Sequence, residues 1–542
     1  MSRVLRHLAL AAVLAGPEAM AAGLPAGGDP GAVGQERFRD QRRLERGLEP
    51  APSSGPVIDA PILPEDKLPD GGPKFVLKGV AFDPSRFLDP SGLDALVAPH
   101  LGREADFTVL KEIIAQVNRR YRAAGIATAS AMLPPQKIRD GIVRVALVEG
   151  RVGKVEVEGA TFTAPEFVTQ RVAPAGSDVL DSRALERDIL WFNRSNDAQV
   201  RASLRPGDEF GLTDVLLTVT EPARDALVVS LDNHGYSSTG REQAGLFARR
   251  NGLFLDGDRA SFYGIGAEGA QTGSLSYNVP LGPWGTRLGV SFSHTRTQIV
   301  SGAFADLDVK GRSDQAALNL AQPLYVHPDW TISALGALAY SAPVTDIGDV
   351  RAADGNVLKT SLGGSVTFLQ PGFSMTLTPT GSFAKAEDRL LGGTNRFWLY
   401  NTTVETNAQL DPRTVLSFNG SMQLASAGNL PGDQVFQIGG PYSNRAYEPG
   451  MVSAARGYQM SAEITRQLLS EPLGLDVSAF YDRARVYNTN LPVSELNSIG
   501  LGLRVVPVEG LTGELDMAWP LDRGVPREEI PTLYARIVWA AF

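Results

Sequence analysis

No cysteine occurs anywhere in the 542 residues. That absence excludes disulfide staples, thiolate metal sites and cysteine nucleophiles together. Histidine is almost as scarce, with five in the whole chain. There is no H-E-x-x-H zinc motif and no P-loop, so any work this chain does on another molecule runs without ATP hydrolysis by the chain itself. Excess positive charge is missing too: the net charge of -9 argues against nucleic acid as a partner. Long apolar runs are also lacking. No segment after the first twenty residues reaches the ~18 uninterrupted apolar residues of a spanning helix. If the chain crosses a membrane, it must do so as a closed β-barrel, where every backbone group is paired. Mean hydropathy near zero is compatible with that, because lumen-facing residues offset lipid-facing ones.

Two weak motifs carry no chemistry. Gly264-Ile-Gly-Ala-Glu-Gly269 matches the dinucleotide fingerprint G-x-G-x-x-G. The fingerprint needs a following helix to hold the pyrophosphate, and here Ser274-Leu-Ser-Tyr277 reads as another strand. Asp306-Leu-Asp308 with Gly311 echoes a calcium loop, but Lys310 takes a ligand position and Ala317 replaces the closing glutamate. No catalytic, cofactor or metal site is expected, and the chain is not expected to be an enzyme.

Residues 1–21 carry the marks of a secretory signal peptide: Arg3 and Arg6, a short apolar core over 8–15, and Ala19-Met-Ala21 as the cleavage site. Residues 22–49 follow as an N-terminal segment. Its second half, 35–49 (QERFRDQRRLERGLE), is charged and helix-prone, with Phe38, Leu44 and Leu48 as its only apolar side chains. Such a helix is either solvated or seated in a polar cavity, and the residues alone favour the solvated reading. Residues 50–73 hold seven prolines and Gly71-Gly72, which predicts an extended, semi-rigid linker.

From residue 74 the pattern turns α/β. Residues 75–82 read as a strand. Asp106 caps a predicted helix that ends at Gly125, with Val109, Leu110, Ile113, Ile114, Val117 and Tyr121 on one face. A strand over 143–148 completes this module, 74–150. A second module, 151–221, shows a strand at 155–157, a helix over 183–192 and a strand over 214–219.

Beyond residue 221 the period is 2. Tyr400, Thr402, Val404, Thr406, Ala408 and Leu410 alternate with Asn401, Thr403, Glu405, Asn407 and Gln409, and Asp411-Pro-Arg413 makes a tight turn. One such strand would suit a soluble sandwich equally well. Over 300 residues of them, without helices, favour closure, which removes exposed edges. Allowing roughly twenty residues per strand and connection, residues 225–542 make about 16 antiparallel strands. Tyr534 and Trp539 are expected to serve an interfacial aromatic girdle in the last strand.

One stretch stands out within this region: Ile438-Gly-Gly-Pro-Tyr-Ser-Asn-Arg-Ala-Tyr-Glu-Pro-Gly450, followed by Phe480-Tyr-Asp482. It sets Arg445 in a Gly/Pro-rich loop and Asp482 on a strand. Arg456, in Ala455-Arg-Gly-Tyr458, is a rival. A charge buried in a lumen needs a partner. By the residues alone, either arginine is equally well an ordinary loop residue in water.

The sequence resembles the outer-membrane transporters of two-partner secretion, the filamentous-haemagglutinin and haemolysin secretion/activation (TpsB) family, within the superfamily of the BAM assembly protein. The likeness rests on Leu133-Pro-Pro-Gln136, Arg139-Asp-Gly141 and Leu147-Val-Glu-Gly-Arg151 in the first module. In the second it rests on Leu185-Glu186, Asn193-Arg194, Pro206-Gly207 and Gly211-Leu-Thr-Asp214. At the opening of the barrel, Leu231-Asp-Asn-His-Gly235, Gly257-Asp258, Pro280-Leu-Gly282 and Gly285-Thr-Arg-Leu-Gly289 carry it. The resemblance implies two periplasmic POTRA domains, 74–150 and 151–221, and a transmembrane barrel over 222–542. It makes Asn444-Arg-Ala-Tyr447 the family's V-R-G-Y/F loop motif and Phe480-Tyr-Asp482 its barrel-wall motif. Arg445, Tyr447, Phe480 and Asp482 would then form a contact between loop and wall. Ala446 and Ala484 stand where the family has glycine, and alanine restricts positive φ.

The resemblance also makes residues 35–49 a plug-like helix, with Arg37, Arg39, Arg42, Arg43 and Arg46 as its cations. The implied function is export of one large exoprotein (adhesin or haemolysin type) across the outer membrane of a Gram-negative bacterium. The partners it implies are a TpsA-like exoprotein bound through its N-terminal secretion domain, outer-membrane lipid, and the BAM machinery for insertion. A membrane-protein assembly factor is the alternative.

Overall fold

The computed structural model describes residues 26–48, 57–59, 71–172, 179–470, 473–487, 494–522 and 531–541. The signal peptide expected at 1–21 and most of the linker expected at 50–73 lie outside the described residues. Two compact units result: residues 1–54 together with 222–542, and residues Gly55–Glu221.

The smaller unit repeats one topology. Its first half contains β3 (Gly79–Phe82), α2 (Pro90–Val97), α3 (Phe107–Ala123), β5 (Ala129–Met132) and β6 (Ile142–Glu149). The second half contains β7 (Arg151–Glu158), α4 (Pro165–Val172), α5 (Ser182–Ser195), β8 (Gln199–Pro206) and β9 (Leu212–Thr220). In each, the first strand runs parallel to the third, and the second pairs antiparallel to the third. This repeated topology meets the expectation of two POTRA domains. Asp106 caps α3 by accepting the N–H groups of Thr108 and Val109, and Leu110, Ile113, Ile114, Val117 and Tyr121 are buried on one face of the helix. The short helices α2 and α4 and strands β5 and β8 escape the sequence reading. At eight residues each, the two helices are too short to establish a period.

Residues 75–82 do not form one strand. The chain changes partner at Leu77 and Lys78. Strand β2 (Phe75–Val76) pairs with β4 (Glu104–Ala105), and β3 then pairs with β6. At the switch, Leu77 donates to the Arg103 carbonyl at 3.0 Å and Lys78 donates to that of Gly141 at 2.8 Å. The linker is not wholly a spacer either. Strand β1 (Ile58–Asp59) lies parallel beside β8, so the second POTRA sheet has the order β1-β8-β9-β7.

In the larger unit sixteen antiparallel strands close into a barrel. The first, Asp225–Asp232, pairs with the last, Thr532–Ala541, from Leu227 opposite Ala541 to Asp232 opposite Arg536. The Asn233 side chain prolongs this seam like a further peptide group, donating to Leu533 O at 2.9 Å and accepting from the Ala535 N–H at 2.8 Å. Apolar side chains two residues apart point outward, as with Ile499, Leu501 and Leu503. This is the outward apolar band of a barrel in lipid. Trp330, Phe368 and Phe373 cluster near one end, with centroids 4.5 and 5.9 Å apart, and Phe383 packs on Trp398 at 4.9 Å. Phe373 and Phe383 share one strand, ten residues apart. At ~3.4 Å per residue and a tilt of ~40°, that separation is about 25 Å along the membrane normal, the height of the apolar band. The last strand divides its aromatics: Trp539 is exposed, whereas Tyr534 is buried. Residues five apart on a strand face opposite ways, so Tyr534 serves the lumen and not the girdle.

Candidate functional site: the lumen helix and the loop that meets it

Helix α1 (Pro30–Gly47) starts five residues earlier than its charge pattern predicts. Asp29 caps it, accepting from the N–H groups of Gly31 and Ala32 at 2.8 and 3.1 Å, and Pro30 occupies the first turn. A Cβ on Gly31 would lie 2.6 Å from that of Asp433, so the glycine permits close approach there. The solvated reading of this helix fails. Glu36, Arg37, Asp40 and Gln41 are buried, and all but Glu36 find partners beyond the helix. Arg37 donates to Gln243, Ser274 donates to Gln41 at 2.8 Å, and Gln35 donates to the Asp433 carbonyl. Leu44 and Leu48 pack on Val228, Phe247, Tyr263 and Ile265. Two of the three apolar residues thus find an apolar patch on the wall. Phe38 stays exposed under the Arg42 guanidinium, 4.2 Å above its ring. Arg39 pairs with Glu36 of its own helix at 3.1 Å. Arg43 and Arg46 reach Glu514 and Glu405 on the wall at 3.1 and 2.5 Å.

Asp40 is the centre of this contact, and sequence reading missed it. Its Oδ1 accepts from Arg536 Nη1 at 2.8 Å and from the Tyr442 hydroxyl at 2.5 Å; its Oδ2 accepts from the Tyr263 hydroxyl at 2.8 Å. One carboxylate therefore joins the helix to the last strand, to the wall and to the long loop of Arg445. No local pattern marks it, because Asp40 is one acid among several in a charged run.

That loop lies between strands Thr414–Ala425 and Arg456–Leu469 and carries its own two-stranded ribbon, Phe436–Ile438 with Val452–Ala454. At its turn, Arg445 meets Asp482 of strand Gly474–Tyr487. The backbone N–H and Nε of Arg445 donate to Asp482 Oδ2 at 3.1 and 3.0 Å, and Nη2 donates to Oδ1 at 2.9 Å. Nη1 reaches Glu463 at 2.8 Å and Nη2 reaches Ser461 at 3.1 Å. The guanidinium lies over Phe480, 3.2 Å from its centroid. Asp482 has no exposed surface, and Arg445 keeps 8%. Such a pair is bidentate, charge-assisted and stacked at once. Asn444 donates to the carbonyls of Leu496 and Asp482 at 2.9 and 3.3 Å, and the Tyr447 hydroxyl donates to Asp522 at 2.8 Å. Tyr534 donates to the Tyr447 carbonyl at 2.9 Å, which accounts for its inward position. The rival, Arg456, begins the next strand and donates to Ala425 O at 2.7 Å. Among the described residues the non-glycine positions with positive φ are Asp140 and Asp308. Ala446 and Ala484 therefore carry no left-handed strain.

A family model for the haemolysin secretion/activation proteins ShlB/FhaC/HecB matches residues 211–505, more than half of the chain. The chain belongs to that family. A ShlB-type POTRA model matches residues 75–150. The outer membrane transporter CdiB of Dickeya dadantii is 24% identical over 90% of this chain and 89% of its own length. The heme/hemopexin transporter protein HuxB of Haemophilus influenzae is 22% identical over 79% of this chain and 80% of its own. The solved structure of CdiB from Escherichia coli superposes with a TM-score of 0.71 at 21% identity, covering 96% of this chain and 99% of that one. Members of the family are two-partner secretion transporters of the outer membrane with periplasmic POTRA domains, and not enzymes.

Proposed function

We propose that this transporter moves one large exoprotein through its own barrel, that the POTRA domains recognise the cargo's N-terminal secretion domain, and that α1 plugs the resting pore. The observation that carries the reading is a lumen filled by a helix whose wall contacts are mostly polar. Polar contacts outside the buried Asp40 pair are exchanged for water at about 1 kcal/mol each, so the path opens without unfolding the barrel. The exoprotein passes as an extended chain and folds outside, which biases direction. The Arg445–Asp482 pair holds the loop against the wall while the helix leaves.

The test works whatever the cargo is. The gene is deleted and complemented with wild type, Arg445→Ala or Asp482→Ala at matched barrel levels. Culture supernatant, cell surface and outer-membrane proteins are then compared. Loss of one large exoprotein, restored by wild type and not by the variants, is the expected outcome. A general fall in outer-membrane barrels with exoproteins unchanged would move the protein to the assembly class.

A further inference from the structure

The outward face of the barrel changes character along two neighbouring strands, Thr286–Gln298 and Val309–Val326. Val290 and Phe292 on the first, and Leu320 and Leu318 on the second, are exposed, as the apolar band requires. Beyond them the outward positions turn polar: His294 and Arg296 on one strand, Asp314, Arg312 and Lys310 on the other. The POTRA domains are periplasmic in this family, and the chain runs from them into the first barrel strand at Asp225. Strand Thr286–Gln298 is the fifth in the ring and runs the same way as the first, so its later residues lie toward the cell exterior. Arg296 stands ten residues beyond Thr286, as Phe383 stands ten beyond Phe373. Both counts start just after a periplasmic turn, which sets Arg296 at the outer edge of the apolar band.

At that edge Arg296 and Arg312 are register partners, and both are exposed. Like charges directly opposite on a sheet repel. Among the described residues no carboxylate comes within ion-pair distance of either. Arg296 commits only its Nε, which donates to His294 Nε2 at 2.9 Å. His294 Nδ1 therefore carries the ring hydrogen and donates it to Asp314 at 2.6 Å. This chain steadies the Arg296 fork and leaves its Nη groups open. Arg312 makes no hydrogen bond or ion pair with any described residue. The other end of the wall is built differently. There the outward Arg250 faces an acid, its register partner Asp225, at 3.1 Å.

We propose that Arg296 and Arg312 bind a phosphate monoester of the outer-leaflet glycolipid, lipid A, whose acyl chains lie along Phe292, Leu318 and Leu320. Two guanidinium forks on directly opposite residues, with Cβ atoms about 5 Å apart, grip one phosphate from two sides. A monoester carries a charge of about −1.5 to −2 at neutral pH and so balances both arginines. A phosphodiester headgroup leaves one of them unbalanced. Height on the wall agrees, because the pair lies where the apolar band gives way to the headgroups of the outer leaflet. The inference is independent of the secretion reading and goes beyond it.

The full-length protein, stripped of lipid in detergent, is titrated with diphosphoryl lipid A, with phosphatidylglycerol and with inorganic phosphate, and binding is followed by native mass spectrometry. Arg296→Gln with Arg312→Gln removes both forks, and Arg250→Gln is the control at the opposite edge. Expected are tighter binding of lipid A than of phosphatidylglycerol, a loss of about ten-fold or more in the double variant, where charge-assisted hydrogen bonds disappear from both sides, and no change in the control. Arg312→Glu gives a second readout, heat-shifted gel mobility. It makes the facing pair attractive, so without lipid this barrel should unfold at a higher temperature than wild type. Added lipid A should raise the wild-type temperature and leave that of Arg312→Glu unchanged. Equal lipid A binding by wild type and the double variant, phosphatidylglycerol binding as tightly as lipid A, or stabilisation of Arg312→Glu by lipid A would each overturn the site. Displacement of lipid A by an equal concentration of inorganic phosphate would overturn the lipid assignment in favour of a free anion.

Discussion

At the residue scale, the decisive contrast is between two kinds of ion pair in one lumen. Arg445 and Asp482 are buried and joined by three hydrogen bonds, whereas Arg43 and Arg46 keep half their side chains in water. Breaking the first strands a buried charge, which costs about 3–5 kcal/mol; breaking either of the others costs about 0–1 kcal/mol. Arg445→Ala and Asp482→Ala should therefore free the loop, read as raised protease cleavage near residues 440–450 and a fall in secretion. Arg445→Lys should rescue little, because an ammonium lacks the fork that spans both carboxylate oxygens. Arg46→Ala should leave loop protection unchanged. A double-mutant cycle between 445 and 482 that returned no coupling would refute the direct pair. The sequence brought Arg445 and Asp482 into view only through their motifs. Charge and spacing by themselves left Arg456 as good a candidate, because neither reveals which arginine sits at a loop tip and which begins a strand.

At the scale of elements, α1 is the clearest case of one sequence with two readings. Its five arginines and scant apolar content by themselves favour a solvated helix. Only the wall decides, by offering an apolar patch to Leu44 and Leu48 and a ring of donors to Asp40. Asp40→Ala removes three hydrogen bonds to the carboxylate and takes from Arg536 its nearest acid; by the buried-pair scale it costs about 3–5 kcal/mol of helix docking. Single-channel recording should show longer openings for Asp40→Ala than for Arg46→Ala, with unchanged barrel levels.

A second element-scale prediction concerns the second POTRA domain. Glu221 accepts the N–H groups of Thr161 and Thr163, each at 2.8 Å. Burial pushes its carboxyl up, but hydrogen bonds from the side chains and backbone of Thr161 and Thr163 outweigh burial and hold its pKa below the usual glutamate value. A depressed folded pKa gives stability that is present above the unfolded value of about 4.3 and is lost as pH falls through the folded one. Glu221→Gln should thus expose the 161–163 amides to hydrogen exchange at neutral pH, with the difference from wild type shrinking below about pH 4. A difference that persisted undiminished there would exclude the carboxylate as its source.

At the scale of the whole molecule, the barrel holds itself by closure. Sixteen strands pair around the ring, and with no cysteine in the chain no covalent staple contributes. Reductant should leave the temperature at which the barrel unfolds in detergent unchanged, as followed by heat-shifted gel mobility. A shift under reducing conditions would point to a covalent partner. The strand period, the strand number, the helix under Asp106 and the absence of catalytic motifs were all determined by the sequence itself, because each follows from local alternation, capping or composition. The tertiary structure decided the rest: that residues 75–82 divide between two sheets, that Tyr534 faces the lumen, that part of a proline-rich linker is a sheet strand, and that Asp40 gathers a helix, a loop and the last barrel strand. Each of these depends on a partner tens to hundreds of residues away. A side chain's local pattern reports its own periodicity and charge, and carries no information about which distant surface will cover it.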